Sequence, residues 1–261
     1  MAEFEDVLRR GREALETGDY PAAIGELRQV TRIASDKAEG WQLLGEAYAE
    51  TGRLKEAIEA LLTARQLAPE DLDLLFTLGD VYFENNDLSK ALDTYQSILD
   101  LDGEEADALV SIGLVHFNQE RIAEAVSCYR RALEIDPESL FALNSLGDAL
   151  FSQGDAAAAL CSFKKALELD PEDAQAHFNL GEIYYENGDL AAAEAECRAA
   201  LRYDPGHAFA CLTLGNIFLD QEQPLEALHF FQEFLLRERS PAAAEIREEV
   251  AAVVEGLKSE L

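Results

Sequence analysis

The sequence predicts an all-α fold, an α-solenoid of seven 34-residue helix-turn-helix repeats closed by a C-terminal capping helix. Three observations predict it. Written in rows of 34 from Phe4, the chain carries glycine at repeat position 8 every time: Gly11, Gly45, Gly79, Gly113, Gly147, Gly181 and Gly215. Position 20 is alanine every time: Ala23, Ala57, Ala91, Ala125, Ala159, Ala193 and Ala227. No insertion or deletion breaks this register over residues 4–241, although glycine is only 16 of 261 residues. A glycine inside a helix costs about 1 kcal/mol relative to alanine. The expected return is close approach, since a backbone without Cβ lets a second helix lie against it. The alanine at position 20 reads as the matching small residue on that second helix, so each repeat is a tight helical hairpin.

Each repeat then reads as first helix, turn and second helix, over 4–37, 38–71, 72–105, 106–139, 140–173, 174–207 and 208–241, forming one solenoid domain. In the first helix, position 7 is apolar (Leu44, Leu78, Ile112, Leu146, Leu180, Leu214) and position 11 is mostly aromatic (Tyr48, Tyr82, Tyr184, Phe218). In the second, position 24 gives Leu27, Leu61, Tyr95, Tyr129, Phe163, Cys197 and Phe231. These fall at helical spacing and should form the core. The turns are "TGDY", "TGR", "QGDA" and "NGDL", and Asp19, Asp87, Asp155 and Asp189 read as N-caps of second helices. Pro69, Pro137, Pro171 and Pro205 end second helices. The first repeat is more polar, with Arg10 at position 7, Ala14 at position 11 and Ser35 at position 32, as a solenoid end should be. Residues 242–261 read as the capping helix, with Ser240 as N-cap, Pro241 at N1, and an apolar face of Ile246, Val250, Val253, Val254, Leu257 and Leu261 to cover "HFFQEFLL" at 229–236.

Composition narrows the function. With 21 basic and 52 acidic residues the formal charge is −31. That argues against nucleic acid and anionic membrane surfaces, which attract Lys and Arg, and favours basic partners. No apolar run is long enough to span a membrane, and the opening "MAEFEDVLRR" lacks a signal-peptide core. Cys128, Cys161, Cys197 and Cys211 show no CxxC spacing. Reduced thiols and a cytoplasmic location are the expectation.

No catalytic or metal-ligating constellation stands out, so neither enzyme activity nor a cofactor is expected. His116 and His177 occupy core addresses, His207 a repeat junction, and His229 the last repeat's second helix. Cys197 and Cys211 fall at positions 24 and 4 of successive repeats, and "DLDGEEAD" at 100–107 reads as a charged loop without calcium-loop spacing.

The pattern resembles the tetratricopeptide repeat family, whose signature is nearly complete in the second repeat: Trp41, Leu44-Gly45, Tyr48, Ala57, Ala64 and Pro69. The resemblance implies a right-handed superhelix with the first helices lining a concave face, and positions 2, 5, 6, 9, 12 and 13 pointing inward. There, position 12 places Phe83, Phe117, Phe151 and Tyr185 in four consecutive repeats, and position 5 adds Phe76, Val110, Asn144 and Phe178. Position 9 gives Asp80, Leu114, Asp148 and Glu182, and position 6 gives Asn179. This implies an aromatic floor with acidic margins, least acidic around Phe117 and Phe151, the favoured anchors. The inward positions hold no lysine, and their only arginines are Arg9 and Arg12. A clamp for a terminal carboxylate is therefore not expected. The resemblance implies a scaffold or adaptor that binds an apolar polypeptide segment with basic flanks, in assembly or recruitment of a protein complex. The alternative is a structural protein that self-assembles through its terminal repeats as a homo-oligomer.

Overall fold

The computed structural model describes residues 2–260, and side chains over 4–259. Leu261, part of the expected capping face, lies outside them. Among the described residues every regular element is helical. Tertiary contacts divide the chain into two compact units, Met1–Asp136 and Pro137–Leu261.

The first unit holds α1 (Ala2–Glu16), α2 (Tyr20–Ile33), α3 (Ala38–Glu50), α4 (Leu54–Leu67), α5 (Leu72–Glu84), α6 (Leu88–Leu101), α7 (Ala106–Asn118) and α8 (Ile122–Ile135). The second holds α9 (Leu140–Ser152), α10 (Ala156–Leu169), α11 (Ala174–Glu186), α12 (Leu190–Tyr203), α13 (Ala208–Asp220) and α14 (Pro224–Arg237). A single 3-10 turn, Pro241–Ala243, then leads into α15 (Ala244–Glu260). Odd and even helices pair as hairpins. The first helices also touch one another, α1 with α3 and α3 with α5 in one unit, α9 with α11 and α11 with α13 in the other.

The hairpins close as the glycine beat requires, but against a different partner. A Cβ built on Gly147 would lie 2.5 Å from Phe163 Cε1, and one on Gly215 would lie 2.5 Å from Phe231 Cδ1. In every repeat the residue over the glycine is at position 24, one helical turn beyond the alanine at position 20. The alanines are fully buried, but only at Gly181 does the alanine stand among the nearest atoms, the Ala193 carbonyl lying 3.4 Å from a built Cβ. In six repeats the glycine makes room for a leucine or an aromatic ring, and in the remaining one, the sixth, for Cys197; burying each large side chain contributes roughly 1.5–3 kcal/mol.

The hairpin turns share one conformation. Position 15 is left-handed in all seven repeats: Gly18, Gly52, Gly154 and Gly188 take it, and so do Asn86, Glu120 and Glu222. Asp19, Asp155 and Asp189 cap their helices by accepting from the N–H three residues on. Asp87 does not. Its carboxylate instead takes the Asn85 amide at 3.0 Å and the Lys90 ammonium at 3.1 Å. Ser240 caps the 3-10 turn, accepting from Ala243 N at 3.3 Å, so the last helix proper starts three residues later than its sequence signal.

α15 packs on α14. Val250, Val254 and Leu257 are buried in one cluster with Phe231 and Phe234. Ile246 and Val253, expected on the same face, remain exposed at 37% and 39%. Cys197 and Cys211 are buried in this cluster as unpaired thiols. Burial pushes Cys197 up to about 12, and Arg237 reaches the Cys211 sulfur. His116 is a buried core residue whose Nδ1 has no partner, and burial lowers its pKa. His177 replaces Trp41 at position 4 and keeps its link. Trp41 Nε1 donates to the Ser35 carbonyl at 3.0 Å, and His177 Nε2 lies 3.2 Å from the Pro171 carbonyl, the same address one repeat earlier than each ring.

Candidate functional site

The candidate site is the face of the first helices. Each helix presents position 9 and position 12 less than one turn apart, so a carboxylate and a ring share one side. In the first unit Phe83 and Phe117 are half-buried, as are Phe76 and Leu114. Phe76 packs its ring 6.5 Å from Tyr95. Val110 has no exposed surface at all, so it belongs to the core and cannot line a groove. In the second unit Phe151, Phe178 and Tyr185 are half-buried. Phe178 lies 4.5 Å from the His207 ring, and Tyr185 donates to Asp220 at 2.8 Å. His207 itself caps α13, accepting from Ala210 N at 3.2 Å. Burial lowers its pKa, which suits a neutral acceptor nitrogen.

Two acids of position 9 are tied in the same way. Asp148 accepts from Asn179 Nδ2 at 2.7 Å, and Glu182 accepts from Thr213 Oγ1 at 2.6 Å. Both donors occupy position 6 of the following repeat. Asp80 accepts from Tyr95 Oη at 2.6 Å. Surrounding protein raises the pKa of Glu46, Asp80 and Glu182, and pushes Asp148 up to about 6, although Asp148 is exposed at its edge. A carboxylate stripped of water on one side but holding its charge is a strong acceptor for a cation.

The two asparagines part company. Asn179 is buried, and both ends of its amide are used, on Asp148 and on Gln175 at 2.8 Å. It holds the wall from a buried position. Asn144 donates to Asp173 at 2.6 Å, but its Oδ1 is buried without a partner. Phe141 was missed by sequence reasoning. At position 2 it is 56% exposed, the most exposed phenylalanine. Its signal was present, since position 2 is inward in the family pattern.

Among the described residues no three His, Cys, Asp or Glu side chains gather as metal ligands, and no helix is long and apolar enough to cross a membrane.

Residues 13–140 match the tetratricopeptide repeat domain of cytochrome c-type biogenesis protein H, 147–188 match a further TPR repeat family, and 174–207 match the tetratricopeptide repeat. The chain belongs to the tetratricopeptide repeat family. This tetratricopeptide repeat protein is similar in structure to one from Parabacteroides merdae, with 19% identity over 98% of this chain and 100% of that one, at a TM-score of 0.78. It is similar also to MamA, with 27% identity over 67% of this chain and 96% of that one, at 0.57. A third is YrrB, described as having an unusual peptide-binding site, with 26% identity over 74% of this chain and 99% of that one, at 0.53. The first, at this identity, shows the fold alone. No curated protein matches the chain. Family and fold place it among protein-interaction scaffolds.

Proposed function

We propose that this tetratricopeptide repeat protein is a non-catalytic adaptor whose first-helix faces hold a polypeptide segment, apolar with Lys or Arg beside the apolar residues. One observation carries the reading: the position-9 carboxylates of Asp148 and Glu182, each held on one side by the following repeat, stand beside the half-buried position-12 rings of Phe151 and Tyr185. Rings supply apolar contact area, and acids supply charge complementarity. The peptide site in YrrB and the biogenesis protein among the family matches support a role in assembling or recruiting a complex. The unpaired state of all four cysteines supports the cytoplasmic placement.

The test is selection from a random peptide display library on the intact chain. Enriched peptides should pair apolar residues with Lys or Arg. Asp148→Asn with Glu182→Gln, which keep the side-chain shape, should weaken them about tenfold at low salt and less at high salt. Phe117→Ala with Phe151→Ala should weaken them further. Enrichment of acidic peptides, or of none, would overturn the reading.

A second reading, self-association through the C-terminal end, is favoured by Leu225 and Leu236 on α14, 64% and 60% exposed. Light scattering over a concentration series decides it, a constant monomer mass excluding it.

A further inference from the structure

The chemistry of the first unit does not end at the groove. α2 and α4 both pack on α3 and not closely on each other. They leave a cleft of about 530 Å³, within the size range of small-ligand sites. Its floor is Trp41 and Leu44 of α3. One wall is Arg28 and Arg32, a helical turn apart on α2, and the other is Glu56 and Glu59 on α4.

We infer that this cleft is a second binding site, for a short zwitterionic peptide with an apolar side chain. The walls are charged and incompletely paired. Arg28 donates through Nε to Tyr48 Oη at 2.7 Å, and among the described residues neither Arg28 nor Arg32 forms an ion pair. Glu56 is held by Arg53, whereas the Glu59 carboxylate has no partner among the described residues. A ligand carboxylate therefore has guanidinium donors waiting, and a ligand ammonium has Glu59.

The other repeats act as an internal control. Arginine recurs at both positions 25 and 29 only as Arg198 and Arg202. There Arg198 is taken by Glu194 at 2.8 Å, the residue matching Glu59 is His229, and the residue matching Trp41 is Cys211. The combination of paired cations, free acid and aromatic floor occurs once.

Charge and size select the ligand class. A formal charge of −31 repels a net anion, whereas a zwitterion brings its carboxylate without net charge. Packed helices lie about 8–10 Å apart, and α2 and α4, each packed on α3, do not pack on each other. The two charges of a free amino acid sit too close together to reach both walls. Two or three extended residues, at roughly 3.3 Å each, reach across, with the apolar side chain on Trp41.

Trp41 is the only tryptophan, so its fluorescence reports the cleft alone. The probe is the tripeptide Ala-Phe-Ala with free ends, compared with its N-acetylated and C-amidated forms and with free phenylalanine. The free tripeptide should give a saturable change, and each blocked form and phenylalanine should bind at least tenfold more weakly. Arg32→Gln should remove the preference over the amide, and Glu59→Gln the preference over the acetylated form, with melting curves unchanged because both sites are exposed. Equal binding of the three tripeptide forms, binding of phenylalanine as tight as the tripeptide, no saturable change, or unaltered binding in the double variant would each overturn the inference.

Discussion

Gly147 and Gly25 are both glycines inside helices, and they should respond oppositely to alanine. A Cβ on Gly147 meets the Phe163 ring at 2.5 Å, and that ring is 1% exposed with no room to retreat. Overpacking of this kind costs about 1–3 kcal/mol, so Gly147→Ala should lower the denaturation midpoint despite its better helix propensity. A Cβ on Gly25 meets nothing within 4 Å. Gly25→Ala should therefore stabilise by up to about 1 kcal/mol. Chemical denaturation of the two variants checks the signs. A third residue tests the turns. Glu120 holds φ at 60°, a conformation in which glycine carries no Cβ penalty, so Glu120→Gly should be neutral or stabilising despite adding chain freedom. The sequence displayed the glycine beat in full but not what lay over it. Positions 20 and 24 are one turn apart on the same helix face, so periodicity names the face and leaves the contact undecided. Val110 was misplaced for the same reason: it shares an address with exposed-side Phe76, yet depth at that address varies from repeat to repeat.

At the scale of elements, the helices were legible because each carries its own signals: glycine, proline, and aspartate at fixed offsets. The cap of α6 was not, because Asp87 has two nearer donors in Asn85 and Lys90 that compete with the helix N–H groups. Asp155→Ala should therefore cost about 1 kcal/mol through loss of a helix cap, while Asp87→Ala removes no cap. The last helix was legible as an element, but its face only in part. Val250, Val254 and Leu257 close over Phe231 and Phe234, while Ile246 and Val253 turn outward. Burying the three contributes roughly 1.5–3 kcal/mol apiece. In a repeat array such a loss is felt by the nearest neighbours first. Removing 244–261 should accelerate amide exchange sharply in α13 and α14 and leave α1 and α2 unchanged. Uniform acceleration along the chain would show that α15 does more than cover its neighbour.

The whole molecule carries an excess of negative charge, and four of the five acids with raised pKa values share one address, Glu105 being the exception. Glu46, Asp80, Asp148 and Glu182 all sit at position 9, and all are raised above their ordinary pKa values, mainly by the surrounding protein. For Asp148 the rise is from 3.8 to about 6. A carboxyl that is harder to ionise in the folded state binds protons there more readily than in the unfolded chain. Its stabilising contribution is complete below the unfolded value and is lost as pH rises through the folded one. Lowering pH from 7.5 to 5 should therefore raise the melting temperature, and relief of general self-repulsion works in the same direction. Below about 4 the trend must reverse. Asp6, Glu56, Asp87 and Glu124 are lowered, in each case with an ion-pair partner among the causes, and protonating them removes stability. Asp148→Asn separates the local effect from the general one. The amide cannot ionise, and rotated it still offers Oδ1 to Asn179. It should raise the melting temperature at pH 7.5 and leave it nearly unchanged at pH 5. A similar shift at both values would assign the pH dependence to net charge and not to the position-9 acids.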